Sequence, residues 1–140
     1  MEREPCKILV VEKRRDTANR VVEQLKRWGH EAAAVCSALD AVSTARSYEP
    51  DVVLIDLDVP ANEYAVQKLK ELSPAARLVA IADFSQADVV RRSPERGFDG
   101  VLVKPTSTAA IKHAVDTNCE EPNPVNVASF SERASRAAKR

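Results

Sequence analysis

Four short stretches of the chain are apolar without a break: Ile8 to Val11, Val52 to Ile55, Leu78 to Ile81 and Val101 to Val103. None alternates with polar residues, which is the pattern of strands covered on both faces. Ala32 to Cys36 is a weaker fifth run that suits a strand at or near a sheet edge. Between the runs the apolar spacing changes to that of helices. Ala18, Val21, Val22, Leu25 and Trp28 fall on one helical face, which Gly29 can stop. Ser37 can cap a second helix carrying Leu39, Val42 and Ala45. Ala65, Leu69 and Leu72 mark a third helix, ended by Ser73-Pro74. A fourth, around Gln86 to Arg92, is short because Pro94 disfavours helical geometry at Ser93. Thr106 or Ser107 caps a fifth, with Ala110, Ile111, Ala114 and Val115 facing inward.

Five strand-helix units in succession predict an α/β fold: a doubly wound parallel sheet with right-handed crossovers and helices on both faces. The texture changes after Asp116. Glu120-Glu121-Pro122-Asn123-Pro124 cannot be regular structure, and the last ten residues set Arg133, Arg136, Lys139 and Arg140 against Glu132 alone. The expected organisation is one domain over residues 1–116 and a polar, mostly flexible tail or linker over 117–140. The chain could equally be a domain cut from a longer protein.

Composition narrows the class further. With 21 basic and 21 acidic residues, the formal net charge is zero. No overall field therefore favours nucleic acid or a membrane surface. No apolar run approaches the length of a membrane span, and the N-terminus lacks the pattern of a signal peptide. The three cysteines, Cys6, Cys36 and Cys119, show no metal-ligand spacing. They fit a reducing compartment, and a cytoplasmic location is expected.

In open α/β sheets ligands bind beyond the carboxyl ends of the strands. The residues following the apolar runs are Glu12-Lys13, Asp56 with Asp58 two positions on, Ala82-Asp83, and Lys104-Pro105. Carboxylates from several strand ends, with one ammonium, would meet on a single rim. Such a set suits a divalent cation and a phosphoryl group carried on a carboxylate. Asp83 is read as a helix cap and not as a ligand. His30 and His113 are read as surface residues, and Trp28 as core.

The segment Pro50 to Pro60 resembles the third strand and phosphorylation loop of response-regulator receiver domains. Lys7 to Val11 is similar to their first strand, and Gly100 to Pro105 to their fifth with its Lys-Pro. The likeness runs over roughly residues 6–116. It implies the flavodoxin-like fold, strand order 2-1-3-4-5, with Asp56 as phosphoacceptor and Lys104 contacting the phosphoryl oxygens. It also implies a Mg2+ site at Asp56 and Glu12, to which Asp58 adds a carboxylate that could face the metal or solvent and which Lys13 puts in doubt, and a histidine kinase or phosphotransfer protein as donor. The surface of the fourth helix, fifth strand and fifth helix would meet a downstream protein partner. Any catalysis would be slow autodephosphorylation.

The chain departs from the family pattern at four places. Lys13 stands where the family has its second acid, the direct metal ligand. Ala82 replaces the hydroxyl residue that ends the fourth strand, and Val101 the switch aromatic. Ala61-Asn62-Glu63 replaces the usual Asp-Gly after the loop proline. An inward Lys13 could pair with Asp56 and stand in for the metal. Two functions follow: an atypical receiver phosphorylated weakly or conditionally, or a phosphorylation-independent pseudo-receiver that acts as an interaction module. A metabolic enzyme on this fold, such as a flavodoxin, is disfavoured, because bulky Glu12-Lys13-Arg14-Arg15 occupies the place of a phosphate-cradling loop.

Overall fold

The computed structural model describes residues 5–116; the expected tail and Cys119 lie outside the described residues. Five parallel strands, β1 (Lys7–Val11), β2 (Glu31–Val35), β3 (Val52–Asp56), β4 (Arg77–Ala82) and β5 (Gly100–Val103), form one sheet in the order β2-β1-β3-β4-β5. Helices α1 (Arg15–Arg27), α2 (Ala38–Tyr48), α3 (Asn62–Leu72), α4 (Phe84–Arg92) and α5 (Thr108–Asp116) make the crossovers, and a 3-10 turn covers Pro94–Arg96. The weaker apolar run is the edge strand β2, as its half-buried residues require.

Alternation along the strands builds two cores. Leu9, Val11, Val53, Ile55, Leu78 and Val101 pack with residues of α2, α3 and α4 on one face. Ile8, Val10, Val52, Leu54, Val79 and Leu102 pack with residues of α1 and α5 on the other, where Trp28 is half-buried. Both faces of every central strand are therefore dry, which explains the unbroken apolar runs. Among the described residues no helix is long and apolar enough to cross a membrane.

The helix ends follow the polar residues beside them. Ser37 accepts a hydrogen bond from Asp40 N–H and starts α2. Asp83 and Gln86 form a reciprocal capping box, so α4 begins at Phe84, earlier than the periodicity predicts. Ser107 Oγ accepts from Ala110 N–H at the start of α5. Leu72, expected on the inner face of α3, is exposed at the end of that helix.

Both histidines depart from the surface placement expected of them. The His30 side chain is 7% exposed and its Nδ1 accepts from Cys6 N–H at 3.0 Å. Its Nε2 lies 3.9 Å from Asp116 Oδ1. The Nδ1 bond is to Cys6, the residue before β1 and twenty-four positions away, and local sequence carries no trace of it. The Nε2 atom of His113 is also buried, with no hydrogen-bond partner among the described residues.

Candidate functional site

Parallel strands bring the ends of β1, β3, β4 and β5 to one edge of the sheet. At its centre stands Asp56, the last residue of β3 and itself buried. Lys104, directly after β5, reaches across to it: Nζ lies 3.1 Å from Oδ1 and 2.9 Å from Oδ2. The same ammonium lies 3.1 Å from Asp58 Oδ2, so one cation bridges two carboxylates. Asp58 N–H donates to Asp56 Oδ1 at 2.8 Å, and Gln86 Nε2 donates to Asp58 Oδ1 at 3.3 Å. Gln86 thus ties α4 to the rim, a role not legible in the sequence.

Backbone geometry fixes the loop between β3 and α3. Asn62 Nδ2 donates to the carbonyls of Leu57 and Val59, both at 3.1 Å. Ala61 is forced to φ +62°, the left-handed region. A residue with a Cβ pays roughly 1–2 kcal/mol there, which gives a physical reason for glycine at such a turn.

Glu12 is buried, not a solvated surface acid, and its Oε2 accepts from Arg14 N–H at 2.8 Å. Burial pushes its carboxyl above the ordinary value of 4.5; the Arg14 N–H pulls the other way, and the neighbouring Asp56 carboxylate adds to the rise. Hydrogen bonding to Lys104 and Gln86 holds the Asp58 carboxyl below its usual range. Burial opposes the charge of Lys104, but its bonds to Asp56 and Asp58 prevail, and its pKa is raised.

These directions carry a testable sign. An acid whose folded pKa is raised costs stability once ionised, and the cost vanishes as pH falls through that value. Glu12→Gln keeps an acceptor for Arg14 N–H and should stabilise the fold at pH 7 by about 0.5–1 kcal/mol. Thermal unfolding should show that gain shrinking towards pH 4; a gain equal at both pH values would refute the assignment.

Lys13 is exposed and forms no ion pair with Asp56. The cation against Asp56 is that of Lys104, not the one expected from an inward Lys13. Asp83 is occupied with capping α4. Ala82 and Val101 are buried and offer no polar group to the rim. Ile81, Val10, Lys13 and Thr106 border a cavity of about 380 Å3 that opens beside Asp56.

A doubly wound parallel sheet thus carries a buried aspartate, a bridging lysine and neighbouring acids on its carboxyl edge. The family model for the response regulator receiver domain matches residues 8–116. This chain belongs to that family. Among curated proteins it is 27% identical over 115 residues to the transcriptional regulatory protein PdtaR of Mycobacterium tuberculosis, covering 80% of this chain and 56% of that protein. It is 22% identical over 111 residues to sporulation initiation phosphotransferase F of Bacillus subtilis, covering 78% of this chain and 90% of that one. A CheY-like receiver domain from Methylobacillus flagellatus superposes with TM-score 0.72 at 26% identity, covering 82% of this chain and 99% of the other. Several relatives are thus longer, the chain spanning little more than half of PdtaR.

Receiver domains interact with histidine kinases or phosphotransfer proteins and generally bind Mg2+ at their acidic pocket. The side chains here do not fit that ion as they stand. Magnesium asks for near-octahedral oxygen coordination. Asp56 and Asp58 are both engaged by the Lys104 ammonium, and Glu12 by the Arg14 backbone. Among the described residues no group of three or more His, Cys, Asp or Glu side chains is gathered to hold a metal.

Proposed function

We propose that this chain is an atypical receiver that accepts a phosphoryl group on Asp56, weakly or conditionally, and signals through protein-protein contacts. The observation that carries the reading is the contact of Lys104 Nζ with both oxygens of the Asp56 carboxylate, at 3.1 and 2.9 Å. A carboxylate held at a strand end beside an ammonium is suited to attack phosphorus, and the ammonium can neutralise charge on the transferred group. The donor would be a histidine kinase or phosphotransfer protein, and no nucleic acid or membrane takes part. The downstream face would be α4, β5 and α5, where Phe84 and Val89 of α4 are exposed apolar side chains.

Intact-protein mass after incubation with acetyl phosphate, with and without Mg2+, tests the reading. A single phosphoryl adduct is expected on the wild type, at low occupancy, and none on Asp56→Asn. An equal adduct on the variant would place the modification elsewhere and sink the proposal.

Lys13 and Ala82 favour the second reading, a pseudo-receiver whose contacts with partners do not depend on phosphorylation. Lys13 puts a cation where the family has a metal-binding acid, and Ala82 leaves no hydroxyl to bond a phosphoryl group. One hydrogen bond to a charged group is worth roughly 1.5–3 kcal/mol, enough to set a two-state switch.

A further inference from the structure

One ammonium serves two carboxylates at the acidic rim, and one of those carboxylates bonds onward to a helix. Lys104 Nζ lies 2.9 Å from Asp56 Oδ2 and 3.1 Å from Asp58 Oδ2. The other Asp58 oxygen, Oδ1, accepts from Gln86 Nε2 at 3.3 Å. The far end of the same Gln86 amide is also engaged, because its Oε1 accepts from Asp83 N–H at 2.9 Å. Gln86 therefore holds the rim with its NH2 group and the cap of α4 with its oxygen. A flipped amide would set oxygen against the Asp58 carboxylate and NH2 against Asp83 N–H, so the two ends cannot be exchanged. Among the described residues no other side chain of α4 hydrogen-bonds Asp56, Asp58 or Lys104.

We propose that Gln86 is a positioning residue that couples the Asp56 pocket to the first turn of α4, through Lys104 and Asp58. Charge gained or lost at Asp56 redistributes the ammonium between the two carboxylates. Drawn to Asp56, it frees Asp58 Oδ2; released from Asp56, it settles on Asp58. In both cases the Asp58 carboxylate turns, and the planar Gln86 amide follows it or lets go. The cap shared with Asp83 then shifts, and with it Phe84, the first residue of α4, which is 75% exposed. As a signalling route this rests on the reading of Asp56 as acceptor and α4 as a partner face. As a coupling between groups it stands on the unmodified pocket. The Asp58–Gln86 bond is exposed, so the coupling is modest and is read in local spectra, not in stability.

The test uses the full, unphosphorylated chain, so its failure is distinct from a failure of Asp56 as acceptor. Asp56→Asn supplies the input by removing one of the two charges that share Lys104. In amide-resolved NMR it should displace the backbone amides of Phe84 and Ser85 and the side-chain amide of Gln86. Gln86→Glu cuts the link and spares the helix, because a glutamate oxygen still accepts from Asp83 N–H but cannot donate to Asp58. Asp58→Ala cuts one step earlier and leaves the Asp83–Gln86 box whole. In either background Asp56→Asn should move the Phe84 and Ser85 amides about half as far or less, the non-additivity of groups in one network. Lys104→Met, a second input that takes the ammonium from both carboxylates, should displace the same amides with the same loss in both backgrounds. A Gln86 that only caps α4 would give equal displacements in all of these proteins, and that result would overturn the coupling. So would Phe84 and Ser85 amides left in place by both inputs in otherwise wild-type protein.

Discussion

Lys104→Met should destabilise the fold by about 2 kcal/mol, and Asp56→Asn in the same background should recover most of the loss. The argument rests on burial. The Asp56 side chain is 5% exposed, and Lys104 is the cation within salt-bridge distance of it. Removing one partner of a buried pair typically costs about 3–5 kcal/mol, because the other charge is left uncompensated. Lys104 is one-third exposed, so water screens part of the interaction and the expected cost falls below that range. Asp56→Asn alone should be close to neutral. It keeps an acceptor for Asp58 N–H, leaves Lys104 paired with Asp58, and relieves the repulsion between Asp56 and Glu12. Denaturant unfolding of the two singles and the double should give a coupling energy of about 1–2 kcal/mol. Additive losses would mean that Lys104 acts through packing of its stem. The bond between them would then be incidental.

The sheet was legible because its strands are dry on both faces. Val52, Val53, Leu54 and Ile55 are all fully buried, and that environment admits only apolar side chains. The acidic rim was legible because strand ends are short in sequence and parallel topology brings them together. What sequence could not give was the direction of long side chains. Lys13 and Lys104 are both four-carbon ammoniums beside an acid, yet one lies in solvent and the other bridges Asp56 and Asp58. Rotamer choice at such positions depends on what the neighbouring loop offers, here Asp58 and Gln86, from two other elements. Glu12 and His30 were hidden for a related reason. Each is polar in sequence, yet its side chain is buried and accepts a hydrogen bond from a backbone N–H, at Arg14 and Cys6 respectively. The capping box at Asp83 shows the converse. Its signal lies within four residues, so the cap was readable while its link through Gln86 to Asp58 was not.

Lys13→Asp gives the sharpest separation between the two functional readings, because its sign should depend on the metal. The residue stands on the mouth that Asp56 and Asp58 share, and its charge contributes to lowering the Asp58 carboxyl. Without Mg2+ the exposed ammonium attracts an anionic phosphodonor, and aspartate there repels it. The variant should then form adduct with acetyl phosphate more slowly than wild type. With Mg2+ present the order should reverse, because a fourth acid joins Glu12, Asp56 and Asp58. Two unit charges about 4 Å apart interact by roughly 4 kcal/mol at an effective dielectric near 20, and less at an exposed mouth. A third of that energy is already about tenfold in rate, so a Mg2+-dependent gain of about tenfold in initial adduct rate is expected. The same inversion should be absent from Lys13→Asp with Asp56→Asn. If Lys13→Asp slows transfer both with and without Mg2+, the cation at that position serves phosphorylation and is no substitute for the metal. If neither protein forms adduct under either condition, Asp56 is not an acceptor, and the buried aspartate with its bridging lysine is a structural ion pair in an interaction module.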